Sequence, residues 1–332
     1  LTSGSILVTG GAGYIGSHVV RQLGEAGERV IVLDNLSKGF RQAVTAGELI
    51  VGDAGDYPLV AGLMSRHQVD TVMHFAAHTV VPESVALPLK YYGNNTCCTR
   101  SLLQACIDNR VQNVVFSSTA AVYGLPADGY ASEESPTAPI NAYGTSKLMS
   151  EWMLRDVAAV NPLRYVALRY FNVAGSHPGG LIGQSTPGAT LLTKAACEAM
   201  VGKRTHVSVF GSDYPTPDGT GVRDYLHVED LAAAHLNALK YLRGGGKSTI
   251  LNVGYGHGYS VREVLRMLEK VAGKPLVVRE ETRRAGDPAY LVARADRVRS
   301  ELGWQPRYDD LSAIVSSSLA WERKLLQDPW KN

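Results

Sequence analysis

Short apolar runs alternate with helical patterns along the first half of this chain. The runs occupy 5–9, 29–33, 49–52, 71–77, 113–118 and 165–170 and are rich in valine, isoleucine and leucine. Most are near-continuous rather than alternating, as strands buried on both faces of a parallel sheet require. Between them, apolar residues recur at helical spacing over 17–26, 56–67, 84–109 and 141–160. The third of these carries Pro88, so a break or bend is expected there. Strand alternating with helix predicts an α/β fold, a doubly wound parallel sheet of the Rossmann type.

Beyond residue 171 the rhythm loosens. A loop rich in Gly, Pro and Ser covers 175–188, then a helix over 190–202, a short strand over 206–210 and a turn-rich stretch over 213–224. An amphipathic helix follows at 228–241, then a strand at 249–253 that is expected to return to the main sheet. Helices over 260–272, 294–302 and 309–327 complete a smaller, mixed C-terminal lobe. The expected division is a sheet domain over 1–171 and a lobe over 172–332, with about 226–253 crossing back to the sheet.

Composition narrows the class without naming a chemistry. A length of 332 residues suits two domains, and 45% hydrophobic with 19% charged residues suits a sizeable globular core. Net charge is +2 with basic residues scattered, so no nucleic-acid surface is expected. No apolar run reaches the roughly 18 residues of a membrane helix, and the polar start Leu1-Thr2-Ser3-Gly4-Ser5 does not read as a secretory leader. Cys97, Cys98, Cys106 and Cys197 lack zinc-ligand spacing, and the first three, on one predicted helix, are expected as small core residues. His74, His177 and His227 form no ligand pair by spacing and are expected as core or loop residues, so no metal is expected. The expected compartment is the cytoplasm.

Two local patterns carry chemistry. The first follows the opening strand: Gly10-x-x-Gly13-x-x-Gly16, then a helix and a second strand ending at Asp34. Glycines there permit a tight turn and let backbone approach a pyrophosphate, while the helix N-terminus offers free N–H groups and a positive dipole end. Strand, glycine turn, helix, strand and acid together form the dinucleotide-binding context. A carboxylate at Asp34 accepts hydrogen bonds from ribose hydroxyls and repels a 2′-phosphate, which selects NAD despite Lys38 and Arg41 nearby.

The second pattern is Thr119 at the end of a strand, with Tyr143 and Lys147 four apart on the next helix. Residues four apart share a helix face. A free tyrosine is ionised about one part in a thousand at pH 7, so a tyrosine base needs its pKa lowered by roughly three units, or about 4 kcal/mol. A neighbouring ammonium acts in that direction. The Thr119 hydroxyl is placed to bind a substrate hydroxyl and relay its proton. Such a set removes a proton from an alcohol and is of use beside a hydride acceptor.

Longer segments carry a family likeness: Val8-Thr9-Gly10-Gly11-Ala12-Gly13-Tyr14-Ile15-Gly16, Met73-His74-Phe75-Ala76-Ala77, Arg169-Tyr170-Phe171-Asn172 and the irregular stretch 209–228 with Gly219-Thr220-Gly221-Val222-Arg223-Asp224-Tyr225. In these the chain resembles the extended short-chain dehydrogenase/reductase family, and within it the bacterial UDP-hexose 4-epimerases, over nearly its whole length. The resemblance implies bound NAD and redox-neutral interconversion of UDP-galactose and UDP-glucose through a transient 4-keto sugar, in galactose metabolism. It implies a homodimer through the helices near 84–109 and 141–160. It assigns catalysis to Tyr143, Lys147 and Thr119. NAD would be lined by Gly10, Gly13, Tyr14, Ile15, Gly16, Asp34, Asn35, Asp53, Ala54, Phe75, Ala76, Ala77, Asn94, Tyr143, Lys147 and Tyr170. The nucleotide sugar would meet Thr119, Tyr143, Asn172, Leu192, Val209, Phe210, Arg223, Arg284, Asp287 and Leu291. Guanidinium pairs bidentately with phosphate, so Arg223 and Arg284 are the natural diphosphate clamps.

The chain also departs from the family pattern. Thr79 stands where a lysine often contacts NAD, and Thr190-Leu191-Leu192 where the sugar loop often reads Asn-Asn-Leu. The position gating the sugar 2-substituent aligns, ungapped from Gly286-Asp287, with Leu291; Tyr290 is one position away. Acetamido sugars, as in UDP-N-acetylglucosamine and UDP-N-acetylgalactosamine, therefore stay open as alternative substrates, as do UDP-xylose and UDP-arabinose. Ala120 and Ala121 have no proton to exchange, which disfavours the 4,6-dehydratases and decarboxylases of the same family. A non-catalytic NAD-binding sensor is disfavoured by the retained Thr119, Tyr143 and Lys147.

Overall fold

The computed structural model describes residues 4–284 and 287–330. The extreme N-terminal residues Leu1, Thr2 and Ser3, and Gly286 of the alignment above, lie outside the described residues. Seven strands form one parallel sheet in the order Thr249–Val253, Arg164–Tyr170, Asn113–Thr119, Val69–His74, Ser5–Thr9, Val30–Asp34, Glu48–Val51. All six strands read from the first half are present. Because side chains alternate across a strand, each buried strand feeds two cores. Ile6, Val8, Val32, Met73, Val115 and Val166 pack under the helices Tyr14–Glu25 and Val228–Arg243. Leu7, Ile31, Leu33, Val72, Val114 and Phe116 pack under Tyr57–His67 and Cys98–Asp108. That is double winding, and it explains why these runs are apolar throughout.

Sheet order reverses beside Ser5–Thr9, whose neighbours are Val30–Asp34 on one side and Val69–His74 on the other. In open α/β sheets the crevice beyond the carboxyl ends of strands at such a switch point is where ligands bind. Strand Thr249–Val253 pairs with Arg164–Tyr170 at the sheet's edge. Smaller sheets serve the C-terminal region: Asn172–Ala174 pairs with Tyr225–His227, and Val207–Phe210 with Val278–Glu281. A four-stranded sheet includes Val222–Arg223 and Tyr290–Ala293. These two- to four-residue strands have no periodicity of their own to detect and are defined by partners far away in sequence.

The span 84–109 is not one helix. It comprises Val81–Ala86, Pro88–Tyr91, a π-helical turn over Tyr92–Cys97 and Cys98–Asp108. Pro88 does interrupt it, at Leu87. The π turn rotates the face by part of a turn, which corrects one cysteine: Cys98 and Cys106 are buried, as is Cys197, but Cys97 is exposed. His74 is a buried core residue, bonded through Nδ1 to the Thr9 hydroxyl at 2.6 Å and through Nε2 to the Thr99 hydroxyl at 3.1 Å.

The two helices on one face are joined by a buried polar knot. Glu229 meets His18 and Arg21 through its carboxylate, and Gln22 Nε2 donates to it at 2.9 Å. Burial pushes the Glu229 carboxyl upward, but His18, Arg21 and Gln22 outweigh it and hold the group at about 2. A carboxyl depressed in the folded state binds fewer protons there than in the unfolded chain, so its stabilisation is present above about pH 4.5 and is lost as pH falls toward about 2. Glu229→Gln is therefore expected to lower Tm at neutral pH and to flatten the acid limb of a Tm-against-pH series below pH 4.5. Mutant and wild-type curves running parallel through that window would refute the assignment.

Candidate active site

The glycine turn is shaped by contact rather than by flexibility alone. Gly10 has φ +72, and a Cβ on it would come within 2.6 Å of the Ala76 nitrogen. A Cβ on Gly16 would come within 2.3 Å of the Gly10 carbonyl oxygen. Any larger residue would push the turn out into the crevice. Gly13 caps Tyr14–Glu25 with no side-chain hydrogen bond, and the first turn holds no acidic residue. The helix thus presents its first N–H groups and positive end to the crevice. The Tyr14 hydroxyl donates to the Gly175 carbonyl at 2.6 Å, so its side chain is committed elsewhere and what it and Ile15 offer the crevice is main-chain N–H.

Asp34 ends its strand buried, its two oxygens accepting from Ala12 N at 2.9 Å and Leu36 N at 2.8 Å. Burial raises its pKa, with those two N–H groups opposing. Each oxygen keeps a lone pair for a further donor. Asn35 Nδ2 donates to Asp53 at 3.3 Å, and Asp53 accepts from Gly55 N at 2.7 Å, beside buried Ala54. Phe75 N and Ala76 N both donate to the Thr9 carbonyl, which turns 75–77 across the strand ends; the Phe75 ring packs on His235. A cradle that only glycine fills, an uncapped helix start and a buried carboxylate at the next strand end fit a dinucleotide.

Across the crevice stands the second pattern. Asn141 caps the helix Ala142–Val160 by accepting from Gly144 N at 2.9 Å, which sets Tyr143 in its first turn. The Tyr143 hydroxyl stands near enough to the Thr119 side chain for that side chain to act on its protonation. Lys147 is buried, its Nζ donating to the Ser117 carbonyl at 2.8 Å and lying 4.9 Å from the Phe116 ring centroid. Ser117 also bonds the Tyr170 hydroxyl through its side chain, so one strand residue anchors both. The electrostatics differ from expectation. Burial raises the Tyr143 pKa and the Thr119 side chain only partly offsets it, while burial pushes Lys147 down to about 7. The same enclosure penalises both charges, and the ammonium is tied to a carbonyl.

A cavity of about 650 Å³ opens beyond the short strands. Asn172, Leu192, Phe210, Arg223, Arg284 and Asp287 line it, together with Leu191 and Tyr214. Arg284 lies 3.7 Å over the Phe210 ring. Among the described residues neither Arg223 nor Arg284 meets a carboxylate, whereas neighbouring Arg204 and Arg283 are paired with Glu198 and Asp213. Two uncompensated guanidinium groups on one wall suit a diphosphate. Val209 and Leu291 are not on that wall. Alternation along Val207–Phe210 turns Val209 into the core while Phe210 faces the cavity. Leu291 packs against the same core from the strand beside Val222–Arg223.

The sequence model of the NAD dependent epimerase/dehydratase family matches residues 6–254. The chain belongs to this family. A UDP-glucose 4-epimerase of Azospirillum brasilense is 55% identical over 323 residues, 97% of this chain and 93% of its own. The crystal structure of UDP-glucose 4-epimerase from Brucella ovis in complex with NAD matches with a TM-score of 0.93 and 42% identity over 96% of this chain and 98% of that one. The UDP-Glc/GlcNAc 4-epimerase of Campylobacter jejuni matches with a TM-score of 0.85 and 47% identity over 97% and 100%.

Around the site of this NAD dependent epimerase/dehydratase family member stand residues that sequence reasoning passed over. Asn95, next to the expected Asn94, is the buried one: it bonds both backbone groups of His78 and the Ser146 hydroxyl, tying the loop after Val69–His74 to the tyrosine helix. Glu151, one turn beyond Lys147, pairs with Arg169 and accepts from the Ser118 hydroxyl. The only signal for it was a carboxylate on the buried face of a helix, which calls for a partner. His227 caps Val228–Arg243, and His177 accepts from Gly179 N within its loop.

Proposed function

We propose that this chain interconverts UDP-galactose and UDP-glucose, with NAD retained in the glycine cradle. The observation that carries the reading is Tyr143 set beside Thr119 and buried Lys147, with alanines rather than an acid–base pair at 120 and 121. Gly10, Gly13 and Gly16 would take the pyrophosphate, Asp34 and Asn35 the adenosine ribose, and Phe75, Ala76, Ala77, Lys147 and Tyr170 the nicotinamide end. Bound NAD would supply the two-electron acceptor for the sugar C4–H, and the positive charge of its ring would favour the Tyr143 phenolate. Tyr143 accepts the 4-hydroxyl proton by way of Thr119 and returns it after the 4-keto sugar has presented its other face. Lys147, one helical turn from Tyr143, would stabilise the phenolate when charged. Arg223 and Arg284 hold the diphosphate, about which the sugar turns. Asn172 and Asp287, which also line the cavity, offer further polar contacts.

On this reading residues 1–171 form the cofactor lobe and 172–332 the nucleotide-sugar lobe, with 226–253 returning to the former. No helix among the described residues is long and apolar enough to cross a membrane. The cytoplasm is the proposed place where the enzyme works. It acts as a homodimer: Val85, Leu87, Leu89 and Trp152 are exposed on the helices near 84–109 and 141–160, an apolar surface a second copy would cover.

The test uses purified protein and UDP-galactose with no added cofactor, and separates products by anion exchange. UDP-glucose is the expected product. No conversion, even with NAD supplied, would overturn the reading. A parallel arm with UDP-N-acetylgalactosamine decides breadth, for which the Campylobacter jejuni relative and the absence of Leu291 from the cavity wall are the motives.

A further inference from the structure

Tyr214 is buried, 7% exposed, yet its hydroxyl has no hydrogen-bond partner among the described residues. It lines the cavity that holds Arg223, Arg284 and Asp287. Leaving a buried hydroxyl unpaired is costly, and phenylalanine would fill the same space without that penalty. The group is therefore unexplained by the fold itself.

The ring is fixed in place. Tyr214 N donates to the Gly219 carbonyl at 2.9 Å, and Thr216 N donates to the Tyr214 carbonyl at 2.8 Å. The Arg283 guanidinium lies 4.3 Å over the ring, itself held by Asp213 at 2.7 Å. On another side is Gly211, where a Cβ would come within 2.5 Å of the ring edge. A donor held by its turn, a stacked arginine and a close glycine loses little freedom when a ligand arrives. Burial and the Asp287 charge raise its pKa against the opposing Arg223 charge, so the phenol keeps its proton and acts as a donor.

We infer that Tyr214 is a further substrate-binding residue, its phenol donating a hydrogen bond to a phosphate oxygen of the nucleotide sugar. This rests on the proposed function above. Arg223 supplies the charge and Tyr214 a directed neutral donor, a pairing suited to an oxyanion rather than to a sugar hydroxyl.

The experiment titrates wild-type protein and Tyr214→Phe with UDP and with uridine by calorimetry, and records Tm of both proteins without ligand. The expected result is a Kd for UDP raised about tenfold or more, since a hydrogen bond to a charged group contributes about 1.5–3 kcal/mol. Uridine affinity should be unchanged, and the unliganded Tm unchanged or higher. UDP affinity within twofold of wild type would overturn the inference. Equal losses for UDP and uridine would move the contact to ribose or base and overturn the phosphate assignment. A lower unliganded Tm would reveal a partner within the protein and overturn it too. Wild-type protein that binds no UDP would instead overturn the functional reading, a distinguishable failure.

Discussion

Tyr143→Phe is expected to lower kcat by about 10³-fold while leaving UDP affinity and retained NAD close to wild type. Positioned acid–base groups contribute roughly 10²–10⁴-fold, and positions 120 and 121, both alanine, offer no substitute. The ring itself remains, so its edge contact with Tyr91, at 6.5 Å between centroids, is kept. What is removed is the hydroxyl beside Thr119. The effect therefore falls on kcat rather than on KM, which marks an interaction used only in the transition state. The check is turnover with UDP-galactose beside cofactor absorbance of the purified variant. Unchanged turnover would sink the mechanism; loss of retained NAD would show that the hydroxyl serves binding instead. Thr119→Val should cost less, because a relay can be bypassed by direct contact and the base cannot.

The parts legible in the sequence share one property: each is encoded within a few neighbouring residues. The six strands of the first half announce themselves because burial on both faces makes them apolar throughout. Glycine at 10, 13 and 16 and the four-residue step from Tyr143 to Lys147 are local as well. What escaped depends on distant partners. The π turn at Tyr92–Cys97 carries Asn95, bonded to His78 and Ser146, and Cys97 at its end is exposed. The sign of the Tyr143 shift escaped because helix spacing shows that Lys147 is near but not that Tyr143 is buried deeply enough to raise its pKa. Leu291 was placed by alignment along the chain, whereas its side chain's direction is set by pairing with Arg223 in a sheet assembled from four separate segments.

Glu151→Ala is expected to destabilise the protein by about 3–5 kcal/mol, a large share of the roughly 5–15 kcal/mol that holds a domain folded. Glu151 is 1% exposed and Arg169 is 5% exposed. Arg169 reaches it twice, Nε to Oε1 at 2.9 Å and Nη2 to Oε2 at 2.6 Å, and donates from Nη1 to the Tyr123 hydroxyl at 3.1 Å. That hydroxyl donates to Asn252 Oδ1 at 2.6 Å. The chain of bonds therefore fastens the tyrosine helix to Asn113–Thr119 through Ser118, to Arg164–Tyr170 and to Thr249–Val253. Alanine leaves a guanidinium buried with no counter-charge, which costs more than the pair contributes when intact. The same reasoning sets the outcome of a double-mutant cycle. Glu151→Leu with Arg169→Met should lose much less than the two single changes added together, because the second removes the charge that the first exposes. Denaturant unfolding of the four proteins measures it. Additive losses would mean that the two residues act apart, and that the register between Tyr143 and Thr119 is held by the apolar contacts of the helix alone.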